Sequence, residues 1–116
     1  MNRRENTVIA LVMKLIIEDE RGYTSAKYLS EHITALGFKK TKQSILPYIN
    51  LMKELGILED TDNSLKPYKI VKTKEEITAL IHQYLPDLPA QMTAKQLSND
   101  YLHCNDGGRR YAGNGI

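Results

Sequence analysis

The feature that most constrains this chain is the run VIALVMKLII, residues 8–17, in which only Lys14 is charged. A membrane-spanning helix needs about 20 consecutive apolar residues, so the run is too short to cross a bilayer. Val8, Ile9, Leu11, Val12, Leu15 and Ile16 recur at helical spacing, and Asn2 with Glu5 three residues later forms a capping-box pair. The spacing predicts a well-buried helix over residues 3–19. The opening MNRRENTVIALVMKLIIEDE has the outline of a signal peptide. It offers no small-residue cleavage site and runs into EDER, so it reads as a core helix. With 116 residues, 41% of them apolar and 26% charged, the chain suits one domain around a modest core. Its single cysteine, Cys104, excludes an intramolecular disulfide and fits a cytoplasmic protein.

After ERGY closes the first helix, TSAKYLSEHITALGF predicts a second. Thr24 or Ser25 caps it, Ala26, Leu29, Ile33 and Leu36 face inward, and Gly37 takes the left-handed closing position. In KKTKQSILPYINLMKELGIL, residues 39–58, the inward repeat is Ile45, Ile49, Met52 and Leu55, and Gly56 ends the helix. Pro47 bears on where this helix starts. A Thr41 cap leaves the proline inside the helix, where it costs a hydrogen bond, whereas a Ser44 cap places it in the first turn at no cost. The expectation is a late start or a kink.

ILEDTDNSLKPYKIVKT reads as a β-hairpin. Ile57 and Leu58 open the first strand, Tyr68, Ile70 and Leu65 share a face of the second, and Pro67 confines that second strand to an edge. Thr73 with Glu76 and Thr93 with Gln96 are capping boxes for helices near 74–85 and 93–103. NDGGRRYAGNGI is a glycine-rich basic tail.

The order helix, helix, turn, helix, hairpin, carried by TSAKYLSEHITALGF, KKT and KQSILPYINLMKELGIL, resembles the winged helix-turn-helix superfamily over residues 5 to 72. The fold class expected is therefore mainly α with a small β-hairpin wing, a winged helix-turn-helix with two additional C-terminal helices. Its parts are a winged domain over 1–73, a helical extension for packing or dimerisation over 74–104, and the tail over 105–116. The resemblance implies sequence-specific binding of double-stranded DNA and transcriptional regulation, with the third helix in the major groove. The net charge is only +2, so any such binding depends on where the charges lie.

Lys53, on the outward side or margin of the third helix, is a candidate DNA contact; Lys39, Lys40 and Lys42 at the mouth of that helix and Lys66 and Lys69 of the wing are the candidate phosphate contacts. Each is worth about 0.9 in the slope of log affinity against log salt. Gln43 and Asn50 have the chemistry to bond bidentately to adenine, and Leu46 to touch a thymine methyl. Arg109 and Arg110 of the tail are a further candidate nucleic-acid contact, for a DNA minor groove or for RNA. Winged regulators that read palindromic sites are twofold, so a homodimer is expected, with Ile77, Leu80, Ile81, Tyr84 and Leu97 as candidate contacts.

A second reading rests on outward Leu46 and Pro47 and on the acidic wing tip, where Asp60 and Asp62 repel phosphate. These suit a protein-interaction module, an inhibitor or adaptor that does not act through DNA. No catalytic or metal chemistry is expected. His32, His82, His103 and Cys104 lack ligand spacing, Glu75 and Glu76 are first-turn acids matched to the helix dipole, and the tail glycines follow no strand. No cofactor is implied.

Overall fold

The computed structural model describes residues 3–89 and 91–105. In chain order these form α1 (Arg3–Glu18), β1 (Tyr23–Thr24), α2 (Ala26–Ala35), α3 (Lys42–Glu54), β2 (Leu58–Asp60), β3 (Tyr68–Ile70), α4 (Lys74–Tyr84) and α5 (Ala94–Asn105). The chain is thus mainly helical with a small antiparallel sheet. Among the described residues no helix is long and apolar enough to cross a membrane.

The apolar run becomes the axis of the molecule. Every residue from Thr7 to Ile16 is buried, because α1 is touched by α2 and α3 as well as by α4 and α5. Lys14 is enclosed with the rest, and burial pushes its ammonium below the usual lysine value, with the charge of Glu18 one turn on opposing the shift. The proposed Asn2 cap lies outside the described residues.

Three of the remaining helices start where side-chain oxygens predict. Ser25 Oγ accepts from the Tyr28 amide at 3.1 Å. Thr73 and Glu76 close a reciprocal box at 3.0 and 3.1 Å, as Thr93 and Gln96 do at 2.9 and 3.1 Å.

α3 does not start late: Thr41 is its cap, accepting from the Ser44 amide at 3.1 Å, and Pro47 sits inside the helix, the arrangement for which a kink is the expected alternative. The cause lies upstream. Phe38 is fully buried, and the Lys40 backbone bonds Thr34 Oγ1 through both its N–H and its carbonyl at 3.1 Å. The chain is therefore already fixed as it reaches Thr41, and the helix tolerates a proline that cannot donate to the Gln43 carbonyl.

The hairpin is present, and a third strand joins it. β1 pairs with β3 through Tyr23↔Lys69 and Thr24↔Tyr68, giving the order β1-β3-β2. β3 is therefore central, not an edge. Pro67 is compatible with this because it precedes the strand, and its carbonyl accepts from the Thr61 amide at 3.0 Å. A two-residue strand has no periodicity to read, which is why β1 escapes prediction. Leu65 does not share a face with Tyr68 and Ile70. It stands 84% exposed in the connecting loop, where Asn63 Oδ1 accepts from its amide at 2.8 Å.

The C-terminal helices complete the same core. Ile77, Ile81 and Leu97 are buried inside the chain and Leu80 and Tyr84 half-buried against it. The first three therefore do not serve as contacts for a second copy. They cover the side of α1 that α2 and α3 leave open.

Candidate nucleic-acid interface

The candidate surface is built outward from buried anchors. Gly37 takes φ +101°, a conformation that side chains other than glycine's rarely adopt, and turns the chain after α2. Phe38 then plugs into the core, its ring 5.6 Å from that of Tyr101, and Lys39, Lys40 and Lys42 follow at once. Phe38, Thr34 and the Thr41 cap thus hold a lysine cluster at the N-terminal end of α3. No Asp or Glu occurs between Glu31 and Glu54, so no acid offsets the cluster along the chain.

Ile45, Ile49 and Met52 are fully buried, which turns the opposite side of α3 to solvent. Gln43, Leu46, Pro47 and Asn50 are all exposed there, at i, i+3, i+4 and i+7. Leu46 is 40% exposed, an apolar element within an otherwise polar stripe. Glu54, four residues past Asn50, is exposed and ends the same face.

The lysines divide into three kinds. Lys39 and Lys42 are exposed. Lys40 is half-buried, its Nζ 5.5 Å from the Tyr48 ring centre, beside a groove of about 440 Å³ lined by Glu5, Ile9, Ser44, Pro47 and Leu51. Lys53 is engaged with the hairpin. Its Nζ lies 3.3 Å from both carboxylate oxygens of Asp60 and 5.6 Å from the Tyr68 ring centre.

Strand alternation separates Lys69 of the hairpin from α3. Asp60 and Tyr68, cross-strand partners, share the face that Lys53 meets, whereas Lys69 lies on the other face in register with Glu59 and Tyr23. Lys66 is exposed in the loop, 5.1 Å from the Tyr23 ring centre.

A second cationic group went unforeseen. Asp19 is buried and grips Arg21 through 2.7 and 2.8 Å bonds to the guanidinium and a 3.1 Å bond from the Arg21 amide. Burial works to raise the Asp19 carboxyl, and the bonds and charge of Arg21 override it, leaving the group below its usual range. The guanidinium stands over both Tyr23 and Tyr28, 4.6 and 4.4 Å from their ring centres. The D-x-R spacing in EDERGY was the available signal.

Arg109 and Arg110 lie outside the described residues. Among the described residues no group of three or more His, Cys, Asp or Glu side chains is placed to hold a metal. Compared with known families, curated proteins and solved structures, the chain matches none.

Proposed function

We propose that this chain is a winged helix-turn-helix protein of the cytoplasm that binds double-stranded DNA in a sequence-specific manner through the outer face of α3 and regulates transcription. The observation that carries the reading is the pairing of a lysine cluster at the mouth of α3 with an exposed Gln43–Asn50 stripe on a helix whose other side is sealed. The order α1, α2, α3, hairpin, with α2 tied to the start of α3, supports it.

Lys39, Lys42 and Lys40 neutralise phosphates and set the register. Gln43 and Asn50, about 10 Å apart along the axis, reach bases about three steps apart. Lys53 braces the hairpin rather than the duplex, and Lys69 faces away from it. A twofold assembly on a palindromic site would use surface other than Ile77, Ile81 and Leu97.

A second reading has one observation in its favour. Leu46 is exposed in mid-stripe, and the hairpin beside α3 carries Glu59, Asp60 and Asp62, all exposed. That combination suits a protein partner with a basic, apolar surface.

Duplex binding at two salt concentrations separates the readings. The parent chain binds, and Lys39→Ala/Lys40→Ala/Lys42→Ala binds more weakly with a salt slope shallower by about two to three. Absence of duplex binding at low salt, on a pool of random sequences, transfers the interface to a protein partner.

A further inference from the structure

Phe38 ties distant parts of the chain together. Its buried ring lies 5.6 Å from the ring of Tyr101 on α5, and the guanidinium of Arg4, in the first turn of α1, stands 5.2 Å from its centre. The next two residues along the chain are Lys39 and Lys40. Arg4, itself exposed, is thus brought to the lysine cluster by a tertiary contact.

A second observation sets the same turn beside α3. Glu5 and Ile9 of α1, Pro47, Tyr48 and Leu51 of α3, and Lys40 line the groove of about 440 Å³ between the two helices. Burial and the charge of Glu5 push the Tyr48 phenol up, and the charge of Arg4 opposes them, so Arg4 acts across this groove. Pro47 also belongs to the outward stripe of α3, so the groove separates that stripe from the start of α1. The helix itself does not favour Arg4, because the first turn of α1 is the positive end of its dipole.

We propose that Arg4 is a phosphate contact of the duplex seated on α3, carried to it by α1. The inference rests on the DNA reading and adds a second helix to the surface which that reading uses. A helix in the major groove, about 12 Å wide, is flanked on both sides by sugar–phosphate backbone. With Gln43 and Asn50 facing the bases, one flanking backbone passes over the groove beside Pro47, and Arg4 stands on its far rim. An arginine held over a ring face keeps its N–H edge available for two-pronged contact with phosphate.

The test uses the full chain and a pool of random-sequence duplexes, with affinity measured over a series of salt concentrations. Arg4→Met keeps an apolar stem over Phe38 and removes the charge. It lowers the slope of log affinity against log salt by about 0.9 and weakens binding about five- to tenfold at about 0.1 M salt. Arg4→Lys restores the slope, and Glu5→Gln, which removes the acid next to it, tightens binding. A purely structural Arg4 would lower the melting temperature of Arg4→Met and leave the slope in place. An unchanged slope in Arg4→Met, where Lys39→Ala/Lys40→Ala/Lys42→Ala is shallower than the parent, overturns the proposal and leaves the DNA reading standing. A parent chain that binds no duplex at low salt overturns both.

Discussion

α1 and α3 are both helices with apolar repeats, yet the fold uses them in opposite ways. α1 is enclosed on all sides from Thr7 to Ile16, whereas α3 buries only Ile45, Ile49 and Met52 completely and leaves Gln43, Leu46, Pro47 and Asn50 in solvent. The difference follows from the number of neighbours. α1 has helices on every side, and α3 has its partners on one. A helix with one free side can carry a functional surface without loss of the core, and a helix with none cannot. The imperfections are apportioned accordingly: the internal proline sits in α3, where the helix edge is open, and not in α1.

This contrast has a direct test in stability. Leu11→Ala should lower the unfolding free energy by about 2–5 kcal/mol, because a fully buried leucine leaves a cavity. Leu46→Ala should move it by less than about 0.5 kcal/mol, as an exposed position does. Urea denaturation of both variants checks the pair, and equal losses would dissolve the distinction between the two helices.

Pro47→Ala sharpens the comparison from the other direction. It restores an amide able to donate to the Gln43 carbonyl, so α3 should be stabilised by about 1–3 kcal/mol while α1 is untouched. Thermal unfolding together with hydrogen exchange localised to residues 43–50 reads both parts of the claim.

The smallest expected effect concerns the C-terminal end of α1, where Asp19 holds Arg21. The folded Asp19 carboxyl lies below its usual range, so its contribution to stability is complete above the unfolded value of about 3.9 and is lost as pH falls through the folded one. Part of the Arg21 side chain is exposed, which limits the gain. Asp19→Asn should therefore flatten the acid limb of the stability profile, and an unchanged acid limb would show the pair to be energetically idle.

Much of the α-helical skeleton was readable because its signals are local. Thr73 with Glu76 and Thr93 with Gln96 announce helix starts through contacts three residues apart, and Gly37 marks an end through its own backbone conformation. The polar stripe on α3 was equally readable, since the burial of Ile45, Ile49 and Met52 dictates which side faces out. The grip of Asp19 on Arg21 was also within reach, being two residues apart, but nothing in the sequence announced its enclosure by Tyr23 and Tyr28.

Acting alone, the sequence determined where most helices begin and end and which side of α3 is apolar, because capping and periodicity operate over three or four residues. Tertiary structure decided the rest. It joined β1 to a hairpin some 45 residues away, placed Lys69 behind the sheet and Lys53 against Asp60, and committed Ile77, Ile81 and Leu97 to the core of one chain. Those outcomes depend on which distant surfaces meet, and long-range pairing leaves no periodic mark on the residues that take part in it.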